Sequence, residues 1–570
     1  FADEVMAIEV DPSLGRVPKG LRKTMLAVLC KIVAEGWAFV KDEEGKKAVE
    51  EMRAEALEEV REVLGEKQLP PPAEDLNAAV AQLKAALWKP GNADSYAAAR
   101  DLLARILFGM REEAPAEGDE VVVHFNARFR EVILTWLQTM GVDREYLLRW
   151  EKTVGIAAFA CLPDGTEDRE AAKRKNKWKF AACVVGGGIL IGITGGLAAP
   201  AIGAGVIGVG YGLGWAGAAA GATTAGAILG GTLVGVGLII AGMGMTTTIV
   251  IFGASGAGLV GWKMGTKFGL EDFRFVAVKT VEEAQHHENQ GTNTDTEVRQ
   301  RTESQVTDLG AKCSSVQCTV CIEGWVPGDD EIHDSASPFR GVETHIFANS
   351  DVFAVAWEPT ILGRVGRTLT EFQASGVESV GLVEHNPGMI ARVWKGKKRE
   401  VPPKVDRRWK EAMDQVEEAG KAMAAAITDA EVAGRRPITL VGFSLGAAVI
   451  FHALQELYKT GKFHAVQSVV LMGAPALMHW TAPDGEAEAD VSQWTKARAV
   501  VSDRFVNCYS KNDWVLGVFM RKMDWSEQVA GLSPINIEGV ENVDCSDLIV
   551  RHTDYATKVR QILELAEAFR

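Results

Sequence analysis

Cysteine is scarce, with eight in 570 residues, and that excludes a disulfide-stapled secreted scaffold. A zinc module is not expected either. Cys318 and Cys321 form one C-x-x-C pair with Cys313 nearby, but no second pair follows at ligand spacing, and residues 316–322 read as a strand. Buried free thiols are the expectation. Positive charge is also short: 61 Lys and Arg stand against 76 Asp and Glu, a formal net charge of −15. The chain as a whole therefore repels nucleic acid and anionic membrane surfaces, and lipid contact must be apolar or local. The opening stretch is acidic and lacks the apolar core of a secretory signal, so a reduced, cytosol-facing protein is expected.

What is present is a folded chain of two or three units. Hydrophobic residues make up 47% and charged residues 24%, the balance of globular proteins, and the length exceeds one ordinary domain. Residues 1–180 read as helical, because segments 48–57 and 97–107 place apolar residues three and four apart between charges. Pro70, Pro71 and Pro72 interrupt the pattern. A packing domain with coiled-coil character is expected there.

The next block, residues 181–270, is defined by what it omits. Between Lys179 and Lys263 no Asp, Glu, Lys, Arg or His occurs, while Gly and Ala are dense. That length suffices for about two to four membrane passes, and small residues at four-residue spacing let helices approach closely in lipid. A basic run, residues 173–179, precedes it as expected of a cytosolic flank. The alternative is a buried helical hairpin in a soluble protein. The glycine-rich stretch 253–258 lacks both the Lys-Ser/Thr ending of a phosphate loop and a glycine two places after Ser255. Residues 271–311 then read as a polar linker. From residue 312 to the end, short apolar runs alternate with helical patterns, the signature of an α/β fold with a mainly parallel sheet.

The chemistry concentrates in this last block. An apolar strand at 438–441 runs into Gly442-Phe443-Ser444-Leu445-Gly446, and a helical pattern through Leu457 begins at once. A sharp strand-to-helix turn lifts a serine hydroxyl above a sheet, and Gly442 and Gly446 relieve the crowding there. The bare pentapeptide is a weak signal, and the strand before and helix after make it strong. A serine alcohol needs a base, and in this class the partners follow in the order serine, acid, histidine. Of the later histidines, His452 lies too far along the same helix, and His464 and His479 sit in connectors around the strand 469–472. His552, on a polar turn before the last helix, is the expected base. Asp513, just past the apolar strand 504–509, is the expected acid, with Asp484 and Asp547 as alternatives. Oxyanion stabilisation needs two N–H donors. One is Leu445. The other is assigned to Trp325, after the strand 318–323, with Gly324 allowing close approach; the alternative is a plain loop with the indole packed in the core.

These same segments carry a resemblance. Residues 438–447, 471–475, 505–514 and 552–555, with Trp357-Glu358 and 530–534, resemble the transmembrane and coiled-coil domain-containing protein 4 family, a family of unknown function with a predicted α/β-hydrolase fold. The likeness is strong over roughly the last 260 residues and holds in character over the Gly/Ala-rich block. The family's motif serine, aspartate and histidine fall on Ser444, Asp513 and His552. The resemblance implies an intracellular, membrane-associated protein acting on lipid esters. Two features sit apart from the expected pattern: the acidic loop 327–333 and the insert 482–490. The reading is thus a lipase- or esterase-type serine hydrolase needing no cofactor or metal, with a membrane or lipid-droplet surface as its partner. The alternative is a non-catalytic membrane-associated adaptor that keeps a hydrolase scaffold.

Overall fold

The structure, a computed structural model, describes residues 19–87, 127–140, 144, 148, 151, 268–278, 315–325, 334–342, 346–380, 403–429, 436–478, 491–520 and 528–567. The Gly/Ala-rich block up to residue 267, the basic run 173–179, the segment 97–107, the loop 327–333 and the insert 482–490 lie outside these residues. The described residues fall into two compact units.

The first is helical. Helices α1 (Lys19–Glu35), α2 (Glu43–Val63, in this unit from residue 50), α3 (Leu76–Leu87) and α4 (Ala127–Thr139) arise from the three- and four-residue apolar spacing. In α2 the spacing places Met52, Ala56 and Val60 inside, and Leu26, Leu29, Leu83, Ile133 and Trp136 complete the core. Pro70, Pro71 and Pro72 fall in the irregular connection between α2 and α3. One charge pair is buried with it: the Arg130 guanidinium grips both Glu151 oxygens, at 2.8 and 2.7 Å, a two-pronged geometry that offsets much of the desolvation cost.

The second unit is α/β. Its strands are β1 (Phe273–Ala277), β2 (Gln317–Ile322), β3 (Ser350–Trp357), β4 (Ile438–Phe443), β5 (Val466–Met472), β6 (Phe505–Tyr509) and β7 (Val540–Asp544). They form one sheet in the order β1-β3-β2-β4-β5-β6-β7. All neighbours pair in parallel except β1, which runs antiparallel to β3. Helices α5 (Pro359–Val380), α6 (Pro403–Thr428), α7 (Leu445–Lys459), α8 (Val491–Val500), α9 (Trp514–Met520) and α10 (Tyr555–Leu565) occupy the connections and the end of the chain, as parallel pairing demands. The central strands β2, β4, β5 and β6 are almost wholly buried, which is why they read as continuous apolar runs rather than alternating ones. Edge strand β7 has no buried residue and is largely exposed.

Two boundaries differ from the sequence reading. Residues 273–277 were expected in the linker 271–311 but form edge strand β1; a five-residue strand flanked by charge offers too short a pattern to detect. Residues 37–49, expected within the helical block, belong to the α/β unit. There the Trp37 indole donates to the Ser502 carbonyl at 2.6 Å and the Tyr458 hydroxyl to Asp42 at 2.5 Å. Cys318 and Cys321 are buried on β2 and form no disulfide, and burial pushes the Cys318 thiol pKa up to about 12. Three apart on a strand, they face opposite sides of the sheet and cannot share a metal.

Candidate active site

The strand-to-helix turn falls at the carboxyl end of β4, the end where open α/β sheets place their sites. Ser444 sits there at φ 52°, ψ −127°, a backbone region that side chains avoid and that costs about 1–3 kcal/mol. The surroundings impose it. Ser444 N–H donates to the Met472 carbonyl at 2.9 Å, and the Ser444 carbonyl accepts from Ala447 and Ala448 at 3.0 and 3.2 Å, starting α7. The two flanking glycines are steric requirements. A Cβ on Gly446 would lie 2.2 Å from the Ile322 carbonyl oxygen, and one on Gly442 would lie 2.9 Å from the Gly446 carbonyl carbon and oxygen.

Three polar side chains meet at this turn. Ser444 Oγ lies 2.7 Å from His552 Nε2, and His552 Nδ1 lies 2.6 Å from Asp513 Oδ2. All three residues are fully or almost fully buried. Asp513 follows β6 by four residues, and its second oxygen accepts the Leu516 N–H at 3.0 Å, an N-terminal cap of α9 that orients the carboxylate. His552 opens a single 3-10 turn ahead of α10. Asp554 Oδ2 accepts the Val550 and Arg551 N–H groups at 3.0 and 2.8 Å, which fixes the loop that carries the imidazole. Tyr555 packs edge-on against that ring, centroids 5.6 Å apart, and its burial holds the phenol well above its ordinary pKa, so it stays neutral.

Sequence reasoning did not single out the bracing beneath this trio. Ser510 Oγ donates to the Ile549 carbonyl at 2.8 Å and accepts the Asn512 N–H at 3.1 Å. Asn512 Nδ2 donates to the Ser546 carbonyl at 2.9 Å, and Lys511 N–H donates to Ser546 Oγ at 3.0 Å. Thus the loop bearing Asp513 is tied to the loop leading to His552. These cross-loop bonds had no readable signal in the sequence.

The oxyanion candidates lie beside Ser444. Leu445 is the first residue of α7, where backbone N–H groups lack intrahelical acceptors. Gly324 packs directly on the turn: a Cβ there would lie 2.5 Å from Leu445 N and 2.6 Å from Ser444 Cβ. Trp325 follows it, its indole buried edge-on against Phe443 at 6.4 Å. The remaining sequence candidates are placed elsewhere. His452 lies on α7, packed against Gly420 of α6, with its pKa lowered by burial. His464 precedes β5, and Asp547 lies in the turn after β7. His479 and Asp484 fall outside the described residues. Among the described residues, no cluster of three or more His, Cys, Asp or Glu is placed to hold a metal ion.

The class defined so far is an α/β protein with a strained serine hydrogen-bonded to a buried histidine–aspartate pair. The chain belongs to the family described as "Protein of unknown function (DUF726)", whose model matches residues 172–568. It is similar to "Transmembrane and coiled-coil domain-containing protein STS1" of Oryza sativa subsp. japonica, 32% identical over 462 residues, covering 78% of this chain and 61% of that protein. This agrees with the resemblance drawn from the motifs. It is also similar to "Probable lipase MIL1" of Saccharomyces cerevisiae, 32% identical over 256 residues, 44% of this chain and 22% of that one. "Uncharacterized membrane protein F35D11.3" of Caenorhabditis elegans is 29% identical over 346 residues, 58% of this chain and 48% of that one. The chain therefore spans 61% or less of the length of these relatives. No solved structure matches. Relatives are named membrane proteins, while among the described residues no helix is long and apolar enough to cross a membrane.

Proposed function

We propose that this chain is a serine ester hydrolase of the α/β-hydrolase type, a lipase or esterase acting on lipid esters at a membrane or lipid-droplet surface. One observation carries the reading: the hydrogen-bonded series Ser444 Oγ, His552 Nε2, His552 Nδ1, Asp513 Oδ2, at 2.7 and 2.6 Å. In the reaction, Ser444 Oγ attacks the ester carbonyl carbon while His552 Nε2 takes its proton. Asp513 accepts the Nδ1–H, keeping Nε2 free as the acceptor, and stabilises the imidazolium. The carbonyl oxygen, now an alkoxide, receives the Leu445 and Trp325 N–H groups. Collapse breaks the ester C–O bond, the leaving alcohol takes the proton from Nε2, and the acyl group remains on Ser444. Water repeats the sequence and releases the carboxylic acid.

Burial of the trio supports this role, since hydrogen bonds and charges act more strongly away from water. The lipid assignment rests on the similarity to a protein named a probable lipase and on the uncharged residues 180–262, which would bring the site to its substrate. Membrane association of this chain, and the division into residues 1–180, 181–270, 271–311 and 312–570 amended as above, belong to the same proposal.

A fluorophosphonate probe tests the nucleophile, with Ser444→Ala as the control. The wild type is expected to be labelled and to hydrolyse acyl esters, and the variant to do neither. Equal labelling of both proteins returns the chain to a scaffold role.

A further inference from the structure

Trp357-Glu358 carries part of the family resemblance, yet the chemistry above leaves it without a task. Strands β2 and β3 run parallel with Ile322 opposite Val355. Strand β2 ends there, while β3 continues to Trp357, so Trp357 stands alongside the segment Glu323-Gly324-Trp325 as it leaves the sheet. The indole is fully buried, and its Nε1–H donates to the Glu323 carbonyl at 3.0 Å.

That carbonyl belongs to the peptide plane leading into Gly324. A trans peptide is rigid, so fixing the carbonyl direction fixes the bond entering Gly324 and the path of the residue after it. The tolerance is small: Gly324 is already in close contact with Phe443, Ser444 and Leu445, and the position of a Gly446 Cβ would lie 2.8 Å from the Glu323 oxygen. Trp357 is itself held firmly. It pairs with Phe273 across β1, and the next residue, Glu358, donates to the Asp272 carbonyl at 3.2 Å and accepts Ile361 and Leu362 N–H groups at 2.9 and 3.0 Å.

We propose that Trp357 is a positioning residue for the second oxyanion donor, its indole N–H holding the Glu323 carbonyl so that the Gly324-Trp325 segment keeps its place against Ser444. The proposal rests on the ester-hydrolase reading. Trp357 touches no reacting atom, and its effect passes through the backbone of residues 323–325. A donor displaced by as little as 1 Å loses about 100-fold in rate.

The test uses the full chain with an aryl ester, comparing wild type with Trp357→Phe. A second variant carries a benzothiophene analogue of tryptophan at position 357, which keeps the ring shape and removes the N–H. Both are expected to lose about 10- to 100-fold in kcat, with KM within about twofold of wild type. Affinity for a trifluoromethyl ketone, which forms a tetrahedral oxyanion on the serine, should fall by the same factor. Affinity for the matching unreactive ether should not change. A buried indole with a merely structural role would lower thermal stability and leave the ketone-to-ether ratio at the wild-type value. That result, in the benzothiophene variant above all, overturns the proposal. If the wild type shows Ser444-dependent hydrolysis and the 357 variants match it, this inference alone fails; if the wild type shows none, the hydrolase reading fails and takes this with it.

Discussion

Gly324→Ala adds a single methyl group at the most crowded contact of the proposed oxyanion site. The new carbon would lie 2.2 Å from the Phe443 carbonyl oxygen, 2.5 Å from Leu445 N and 2.6 Å from Ser444 Cβ, where 3.4 Å or more is ordinary contact. All three atoms belong to the turn at Ser444, which the Ser444–Met472 hydrogen bond and the start of α7 hold in place. No flexible side-chain end is available to yield, so the loop or the turn must move by about 1 Å. Misplacement on that scale costs about 100-fold in kcat, equivalent to ~2.7 kcal/mol of transition-state stabilisation. Overpacking adds a stability loss of about 1–3 kcal/mol. Steady-state ester hydrolysis beside a thermal melt separates the two effects. A folded Gly324→Ala enzyme with wild-type kcat would refute the placement of the Gly324-Trp325 loop at the reacting carbonyl.

Two further outcomes follow from the same geometry. Asp513→Asn is isosteric, but its amide favours the wrong imidazole tautomer, and kcat should fall by about 10,000-fold with folding retained; ester hydrolysis and circular dichroism check both halves. Burial raises the Glu358 carboxyl, with Glu271 and Asp272 nearby adding to the rise against two opposing N–H bonds. The folded protein therefore binds that proton more tightly than the unfolded chain. Its contribution is complete below the ordinary carboxylate pKa and is lost as pH rises through the elevated value. Melting temperature measured across that window should decline less steeply in Glu358→Gln than in the wild type, and parallel curves would count against it.

The site was legible where local chemistry forces local structure. Strand 438–441, the turn at Ser444 and the helix after it are announced by β-branched residues, glycines and a helical apolar pattern within one short stretch, and β4 and α7 follow that reading. Strand 504–509 and the turn at His552 were readable for the same reason. What escaped is non-local. Trp37 donates to a carbonyl 465 positions away, and Trp357 to one 34 positions away; neither indole announces its acceptor. Trp325 falls in the segment after β2, and the buried indole that the sequence left as an alternative finds its neighbour in Phe443, 118 positions along the chain.

Ser444, His552 and Asp513 are separated by 108 and 39 positions, so the fold must hold them in register. Parallel pairing of β4, β5 and β6 delivers Ser444 and Asp513 to the same end of one sheet, but a sheet alone does not orient loops. Orientation comes from short polar bridges near the chemistry. Asp513 caps α9 with the oxygen that His552 does not use, and Ser510 joins the acid loop to the base loop through Ile549. Asp554 closes the turn behind the imidazole. Each bridge is a neutral or N–H-to-carboxylate hydrogen bond contributing about 0.5–3 kcal/mol, comparable with the strain at Ser444. The fold therefore holds Ser444 in an unfavourable backbone conformation while the loops that carry Asp513 and His552 are braced by these bonds. That bracing is what pre-organisation means in structural terms, and under the proposed chemistry it makes the residues beside the trio matter as much as the trio itself.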